Sequence, residues 1–135
     1  MRELTPFLMF CGPQQGNAEE AMRLYCSVFV ESEVLEIDLY GPDDGDAAGT
    51  VRSATFSLGG QKVRAIDGGS VHAFTFTPAS SLWIECSSSD ELDQAAQALS
   101  DGGEFLMPVD NYGFSERFCW VQDRFGVSWQ LNLQG

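Results

Sequence analysis

The sequence predicts an α+β fold built from two βαβββ modules in tandem. Three observations support this prediction. A strand, an amphipathic helix and further strands follow one another twice along the 135 residues. The two leading strands lie about 75 to 80 residues apart, which is too long for a solenoid repeat and suits a duplicated module. The chain also closes on two apolar and aromatic runs joined by an Asp-Arg-Phe-Gly turn, the pattern of a β-hairpin.

The first module is predicted over residues 1–70. An apolar run at 4–10 indicates a strand, and Asn17 is the expected N-cap of the helix that follows. The apolar positions of that helix recur at helical spacing: Ala18, Ala21, Met22, Tyr25 and Phe29. A strand is expected at 33–40, a mobile acidic loop at 43–50, and a hairpin at 51–67 that turns at Gly59-Gly60.

The second module is predicted over residues 71–135, and the two together form one domain over 1–135. Residues 82–86 indicate a strand, and the Ser and Asp residues at 87–90 can cap the next helix. Gly102-Gly103 ends that helix, a strand follows at 104–108, and the loop at 109–115 holds Tyr112 and Phe114. The curled sheets of the two modules are expected to form a cleft, with Tyr112 and Phe114 either covering it or packing across a dimer interface.

The composition excludes two classes of partner. The formal net charge is −13, with 20 acidic residues against seven basic ones, so the surface repels phosphate backbones and anionic lipids. We therefore expect neither nucleic acid nor membrane partners. The four cysteines Cys11, Cys26, Cys86 and Cys119 show no metal or disulfide spacing, and no signal peptide or membrane span is recognised. These features predict a reduced, cytoplasmic protein.

Several segments carry a family resemblance. They are 5–10, the helix that begins at 17, Leu58-Gly59-Gly60-Gln61, Ile84-Glu85-Cys86 and 119–130. Together they resemble the PhnB-like branch of the glyoxalase/bleomycin-resistance (vicinal oxygen chelate) superfamily, a branch that often carries the label 3-demethylubiquinone methyltransferase. A methyltransferase site usually needs a Gly-rich turn after a parallel strand, whereas Gly59-Gly60 and Gly68-Gly69 are expected at hairpin ends. We therefore do not expect methyl transfer.

The resemblance also implies where a metal would bind. Metal-dependent members carry His, Glu or Gln at four inward positions. These positions correspond here to Thr5, to Val63 or Arg64, to Ser81 and to Gln130. Because only Gln130 can ligate, we expect no metal and no cofactor. The single histidine, His72, lies in the linker, and Cys86 and Cys119 have no histidine near them in the sequence that could activate them as nucleophiles.

Strand alternation predicts which side chains face the cleft. The predicted ligand-binding residues are Phe7, Met9, Asp67, Trp83, Glu85 and Gln130. The aromatic and thioether groups would form the wall and the polar groups would anchor a ligand. Two alternatives stay open at this point: Phe7, Met9 and Trp83 could fill the core, and Glu85 could form a salt bridge with Arg52 or Arg64.

Three functions therefore remain. The first is a metal-free binding module for a small apolar or aromatic molecule, which we expect to be a homodimer. The second is a metal-dependent isomerase, lyase or dioxygenase of the superfamily that acts on a small metabolite. The third is a dimeric protein whose filled cleft binds nothing. The residue types at the four metal-binding positions distinguish the first two functions, and the side-chain volume in the cleft distinguishes the first from the third.

Overall fold

The computed structural model of the protein describes residues 1–134. They form two compact units, the first from Met1 to Thr75 and the second beginning at Phe76. Each unit contains the elements β, α, β, β and β in that order, which confirms the predicted duplication. Neither helix within residues 1–134 is long and apolar enough to cross a membrane.

The first unit consists of one helix and one four-stranded sheet. Its elements are β1 (Phe7–Cys11), α1 (Ala18–Val28), β2 (Glu33–Leu39), β3 (Val51–Leu58) and β4 (Gln61–Gly69). The strand order is β1-β4-β3-β2, with β1 parallel to β4 and the other pairs antiparallel. β1 begins later than the sequence suggested, because Pro6 has no backbone N–H to donate to a sheet. Its carbonyl instead accepts a hydrogen bond from the Arg64 amide at 2.9 Å.

The second unit repeats this topology. Its elements are β5 (Ser81–Glu85), α2 (Ser89–Ser100), β6 (Glu104–Asp110), β7 (Arg117–Gln122) and β8 (Ser128–Leu133). The strand order is β5-β8-β7-β6, with β5 parallel to β8. The closing hairpin β7–β8 and the hairpin β3–β4 are both present as predicted. Gly59 and Gly60, with φ of 57° and 94°, supply the left-handed backbone that the β3–β4 turn requires.

Each helix covers one face of its own sheet. The buried residues of α1 are Ala18, Ala21, Met22 and Tyr25, and those of α2 are Leu92, Ala95, Ala96 and Leu99. The sheet residues beneath them alternate along the strands, as Val63 and Ala65 do in β4 and Trp129 and Leu131 in β8. The opposite face of each sheet, which we call its open face, therefore carries the side chains that do not pack against the helix.

The two helices begin in different ways. Ser88 caps α2 conventionally, since its Oγ accepts the Glu91 amide at 3.1 Å, while Glu91 Oε1 accepts the Ser87 amide at 2.7 Å. Asn17 was predicted to cap α1, but its side chain makes no capping bond. Asp67, near the end of β4, caps the helix instead. Its Oδ1 accepts the amides of Gly16 at 2.9 Å and Ala18 at 3.2 Å.

The acidic loop at 43–50, predicted to be a mobile loop, forms a closed set of turns. It contains a short 3₁₀ turn at Gly45–Ala47. Its ends are joined because the Tyr40 amide donates to the Thr50 carbonyl at 2.9 Å and the Gly49 amide to the Tyr40 carbonyl at 3.0 Å. The Asp44 carboxylate also accepts the Gly41 amide at 2.6 Å.

Candidate functional site

The open face of the second sheet gathers three of the predicted binding residues. Trp83 pairs with Gln130 across β5 and β8, and Glu85 pairs with Asn132. Because side chains two positions apart share a face, Trp83 and Glu85 project from the same side of β5. The sequence predicted this shared face for Trp83 and Glu85.

Glu85 is held by two neighbours on this face. The Trp83 indole Nε1 donates to Glu85 Oε1 at 2.9 Å. The Asn132 Nδ2 donates to both carboxylate oxygens, at 3.0 Å and 3.1 Å. The salt bridge that we considered for Glu85 is replaced by these bonds, and Arg52 instead pairs with Asp38 at 3.0 Å.

Asn132 is a site residue that the sequence reasoning missed. It is fully buried, and its Oδ1 has no hydrogen-bond partner within residues 1–134. The orientation of the amide follows from Glu85, because a carboxylate can only accept and therefore faces the NH₂ group. A buried acceptor without a donor is uncommon in a folded protein and marks a place where a donor is expected.

An aromatic cluster, formed by Trp83, Tyr112, Phe114 and Phe118, lies beside Glu85. Phe118 is buried at its centre, with its ring centroid 5.8 Å from Trp83, 5.9 Å from Tyr112 and 5.1 Å from Phe114. Trp83 is 50% exposed and Phe114 is 56% exposed. The cluster therefore presents two half-exposed rings next to a carboxylate.

Gln130 belongs to a polar row at the other end of β5. Its Nε2 donates to Ser81 Oγ at 3.2 Å, and Ser81 Oγ shares a hydrogen bond of 2.6 Å with Ser128 Oγ. The Trp120 indole donates to Ser128 Oγ at 2.8 Å. These bonds fix Gln130 beside Trp83, its partner across the strands.

Phe7 and Met9 lie on the open face of the first sheet, paired with Arg64 and Ile66 of β4. Phe7 is 51% exposed, so it does not fill the core. Met9 packs against Gly68, where an added Cβ would come within 2.5 Å of its side chain. The first sheet thus has an apolar strip along β1.

Asp67 faces the opposite way. It shares the helix-covered face with Val63 and Ala65, and it is 4% exposed. Besides its two bonds to the start of α1, its Oδ2 accepts the Val51 amide at 2.8 Å. With its carboxylate already occupied by three backbone donors, we leave Asp67 out of the binding surface that we propose.

The residues at the four metal positions do not fit a catalytic divalent cation. Val63 is a buried hydrocarbon and Arg64 is a cation. The Thr5 hydroxyl bonds Glu3 at 3.2 Å, and Ser81 Oγ accepts Gln130 Nε2 at 3.2 Å, so the Gln130 amide oxygen is the one carbonyl or carboxylate ligand that this set offers. Within residues 1–134, no three His, Cys, Asp or Glu side chains come together as a metal-binding group.

The cysteines of the second unit are not activated. Burial raises the pKa of the Cys86 thiol to about 12 and that of the Cys119 thiol to about 11. Both thiols are therefore protonated at neutral pH, whereas a nucleophile requires the thiolate. The geometry supports recognition of a molecule by aromatic and carboxylate groups, with no activated thiol beside them.

Comparisons with known proteins agree with this architecture. A family model described as 3-demethylubiquinone-9 3-methyltransferase matches residues 2–132. A PhnB protein from Bacillus cereus is 45% identical over 98% of this chain and 99% of that chain, with a TM-score of 0.90. No curated protein matches the chain.

More distant structures share the fold alone. A protein from Pseudomonas aeruginosa is 24% identical over 99% of this chain and 98% of that chain, with a TM-score of 0.81. The fosfomycin resistance protein FosX from Listeria monocytogenes, solved with Mn(II) and dihydroxypropylphosphonic acid, is 11% identical. It covers 98% of this chain and 92% of its own, with a TM-score of 0.63.

Proposed function

We propose, from the premise that this chain belongs to the 3-demethylubiquinone-9 3-methyltransferase family of PhnB-like proteins, that it binds a small apolar or aromatic molecule without a metal. The open face of the second sheet is the binding surface in this proposal. Trp83 provides the aromatic wall, and Glu85 and Gln130 are the polar anchors. Phe7 and Met9 provide a second apolar surface, on the first sheet.

One observation carries the proposal: Trp83 is half exposed yet fixed by its hydrogen bond to Glu85. A large aromatic side chain left in water forgoes the free energy of burial, about 1.5 to 3 kcal/mol for a large apolar side chain. Here the exposed ring contacts Phe118 and a carboxylate, and such a mixture of apolar wall and few polar groups is typical of small-molecule sites.

The family description names methyl transfer, but the glycines of this chain favour binding instead. Gly59 and Gly60 form the β3–β4 turn, and Gly68 lies under Met9. A nucleotide-like methyl donor would be seated at a helix start after a parallel strand. The start of α1, which follows the parallel strand β1, is already occupied by the Asp67 carboxylate. The proposal therefore includes no cofactor.

Native mass spectrometry of the purified protein tests the proposal. The wild type is expected to retain a small organic molecule that Trp83→Ala no longer retains. Phe105→Ala is the matched control, because Phe105 is an exposed aromatic residue that pairs with Val121 on the other face of the same sheet. Equal retention by Trp83→Ala and wild type would refute the site, and about one zinc, nickel, iron or manganese per chain would favour a metal-dependent enzyme.

We also propose a homodimer in the cytoplasm. The first unit leaves Leu4, Val71 and Phe74 strongly exposed, and a second copy of the chain would cover such apolar surface. Light scattering at micromolar concentration should give the mass of two chains, and a monomer mass would contradict the proposal. All four cysteines are free, which suits a reducing compartment.

A further inference from the structure

We propose that the molecule bound on the open face of the second sheet is a protonated amine carried on an aromatic or alkyl body. This inference rests on the proposed function and adds the charge of the ligand to it. It is drawn from the charge around Glu85, the rings beside it and the unpartnered oxygen of Asn132.

The charge of the second unit favours a cation. Residues 76–134 contain nine acidic side chains and only two basic ones, Arg117 and Arg124. Arg117 pairs with Asp93 at 2.7 Å, and the Arg124 guanidinium lies over the Phe125 ring at 4.5 Å. The neighbours that hold Glu85 are neutral donors, so its negative charge is not compensated by them.

The aromatic cluster supplies the second attraction. A cation over an indole or phenyl face is attracted by the negative face of the ring. Trp83 and Phe114 both contact Phe118 and are both half exposed, so their rings flank a buried aromatic floor beside the carboxylate. An ammonium group at Glu85 would lie beside the Trp83 indole, whose Nε1 is 2.9 Å from Glu85 Oε1, and its hydrocarbon body would cover the exposed rings of the cluster.

Asn132 distinguishes an N–H cation from a cation without N–H groups. Its Nδ2 holds both oxygens of Glu85, which leaves Oδ1 buried without a donor. A protonated amine bound at Glu85 carries N–H donors for an acceptor of this kind, whereas a quaternary ammonium carries none. Asn132 is therefore a positioning residue for Glu85 and an additional acceptor for the ligand.

The experiment compares benzylamine, which is protonated at neutral pH, with benzyl alcohol and benzoate, which are its neutral and anionic analogues. Binding is followed by the NMR shift of the Trp83 indole N–H. We expect benzylamine to bind about tenfold more tightly than benzyl alcohol, from the combined ion pair and cation–π attraction, and benzoate to bind more weakly still. Benzyltrimethylammonium, which has no N–H donor, should still shift the Trp83 signal but bind more weakly than benzylamine.

Glu85→Gln provides the matching variant. It should reduce benzylamine affinity to about that of benzyl alcohol, because the ion pair is lost while the aromatic contact stays. Glu104→Gln removes the same charge from the exposed start of β6, three strands away in the sheet, and should leave both affinities unchanged. The thermal midpoint of each variant establishes that it is folded.

The outcomes separate the two levels of the proposal. Benzyl alcohol or benzoate binding as tightly as benzylamine, or Glu85→Gln leaving benzylamine affinity intact, would overturn the cation inference while the binding surface stands. If none of the aromatic probes shifts the Trp83 signal at millimolar concentration, the binding surface itself is refuted.

Discussion

The two open faces differ, although the strands beneath them run in the same order. On the first, Arg64 Nη2 donates to Ser53 Oγ at 3.3 Å, and Met9 packs on Gly68. On the second, Trp83, Glu85 and Asn132 form a linked group with a buried unpartnered oxygen. A shared topology therefore leaves the same face of each sheet uncovered by its own helix, while the residues placed there give the two faces different chemistry.

The buried carboxylates provide a second comparison. Asp67 holds the start of α1, whereas Asp123 holds the β7–β8 turn through the amides of Phe125 at 2.9 Å and Val127 at 3.1 Å. Asp123 also accepts the Trp129 indole at 2.9 Å. Each unit thus uses one buried carboxylate to accept hydrogen bonds from its own backbone. The exposed carboxylate of Glu85 differs, because it accepts from the side chains of Trp83 and Asn132.

The largest expected effect separates two of the three tryptophans of the second sheet, Trp83 and Trp129. Trp129 is fully buried and hydrogen-bonded, so Trp129→Ala should lower the free energy of unfolding by about 3 to 5 kcal/mol. Trp83 is half exposed, and Trp83→Ala should cost only about 1 to 2 kcal/mol. Urea denaturation of both variants checks this. Equal losses would show that Trp83 is a core residue and would weaken the contrast between the faces.

The second largest loss of stability is expected on replacing the buried Asp67. Asp67→Ala removes three hydrogen bonds from backbone amides to a charged group, so the free energy of unfolding should fall by about 3 kcal/mol. Asp46→Ala, at an exposed position in the 43–50 loop, is the control and should change stability by less than about 0.5 kcal/mol. A stable Asp67→Ala variant that loses ligand binding would restore Asp67 as the anchor predicted from the sequence.

A smaller difference should separate the two helix starts. Ser88→Ala removes the cap of α2 and should cost about 1 kcal/mol. Asn17→Ala should change stability by less than about 0.5 kcal/mol, because Asp67 already holds the start of α1. Thermal unfolding of the two variants provides the comparison, and a greater loss for Asn17→Ala would contradict the assignment of this role to Asp67.

Alkaline pH should weaken the second unit through its buried thiols. Their pKa values are about 12 for Cys86 and about 11 for Cys119 in the folded protein, against an ordinary value of 9.0. Above pH 9 the unfolded chain therefore loses thiol protons that the folded chain keeps, and stability falls as pH rises toward 11. The free energy of unfolding of a Cys86→Ala, Cys119→Ala variant should fall less steeply over this range. An identical slope would show that the thiols do not contribute.

Much of the fold could be predicted from the sequence, because local patterns determined it. The hairpin at Gly59-Gly60 follows from the positive φ that both residues adopt, and the shared face of Trp83 and Glu85 follows from the two-residue period of a strand. The orientation of Asp67 could also have been predicted from the sequence. Counting in twos from the buried Val63 and Ala65 places it under α1.

Other parts depended on tertiary contacts that no local pattern records. The cap on α1 comes from a residue 49 positions away in sequence. The aromatic cluster requires the loop after β6 to bring Tyr112 and Phe114 onto Phe118. Asn132 could have been found, since it follows Gln130 by two residues and lies opposite Glu85, but its unpartnered oxygen is visible only in the folded protein.

The most direct test of the proposed binding surface uses the three tryptophan indoles as reporters in one NMR spectrum. Each N–H has a different acceptor: Glu85 for Trp83, Ser128 for Trp120 and Asp123 for Trp129. During titration with a library of small aromatic fragments, the Trp83 signal is expected to shift in a saturable way while the Trp129 signal stays fixed. Equal movement of all three signals, or a fixed Trp83 signal with every fragment, would contradict the account.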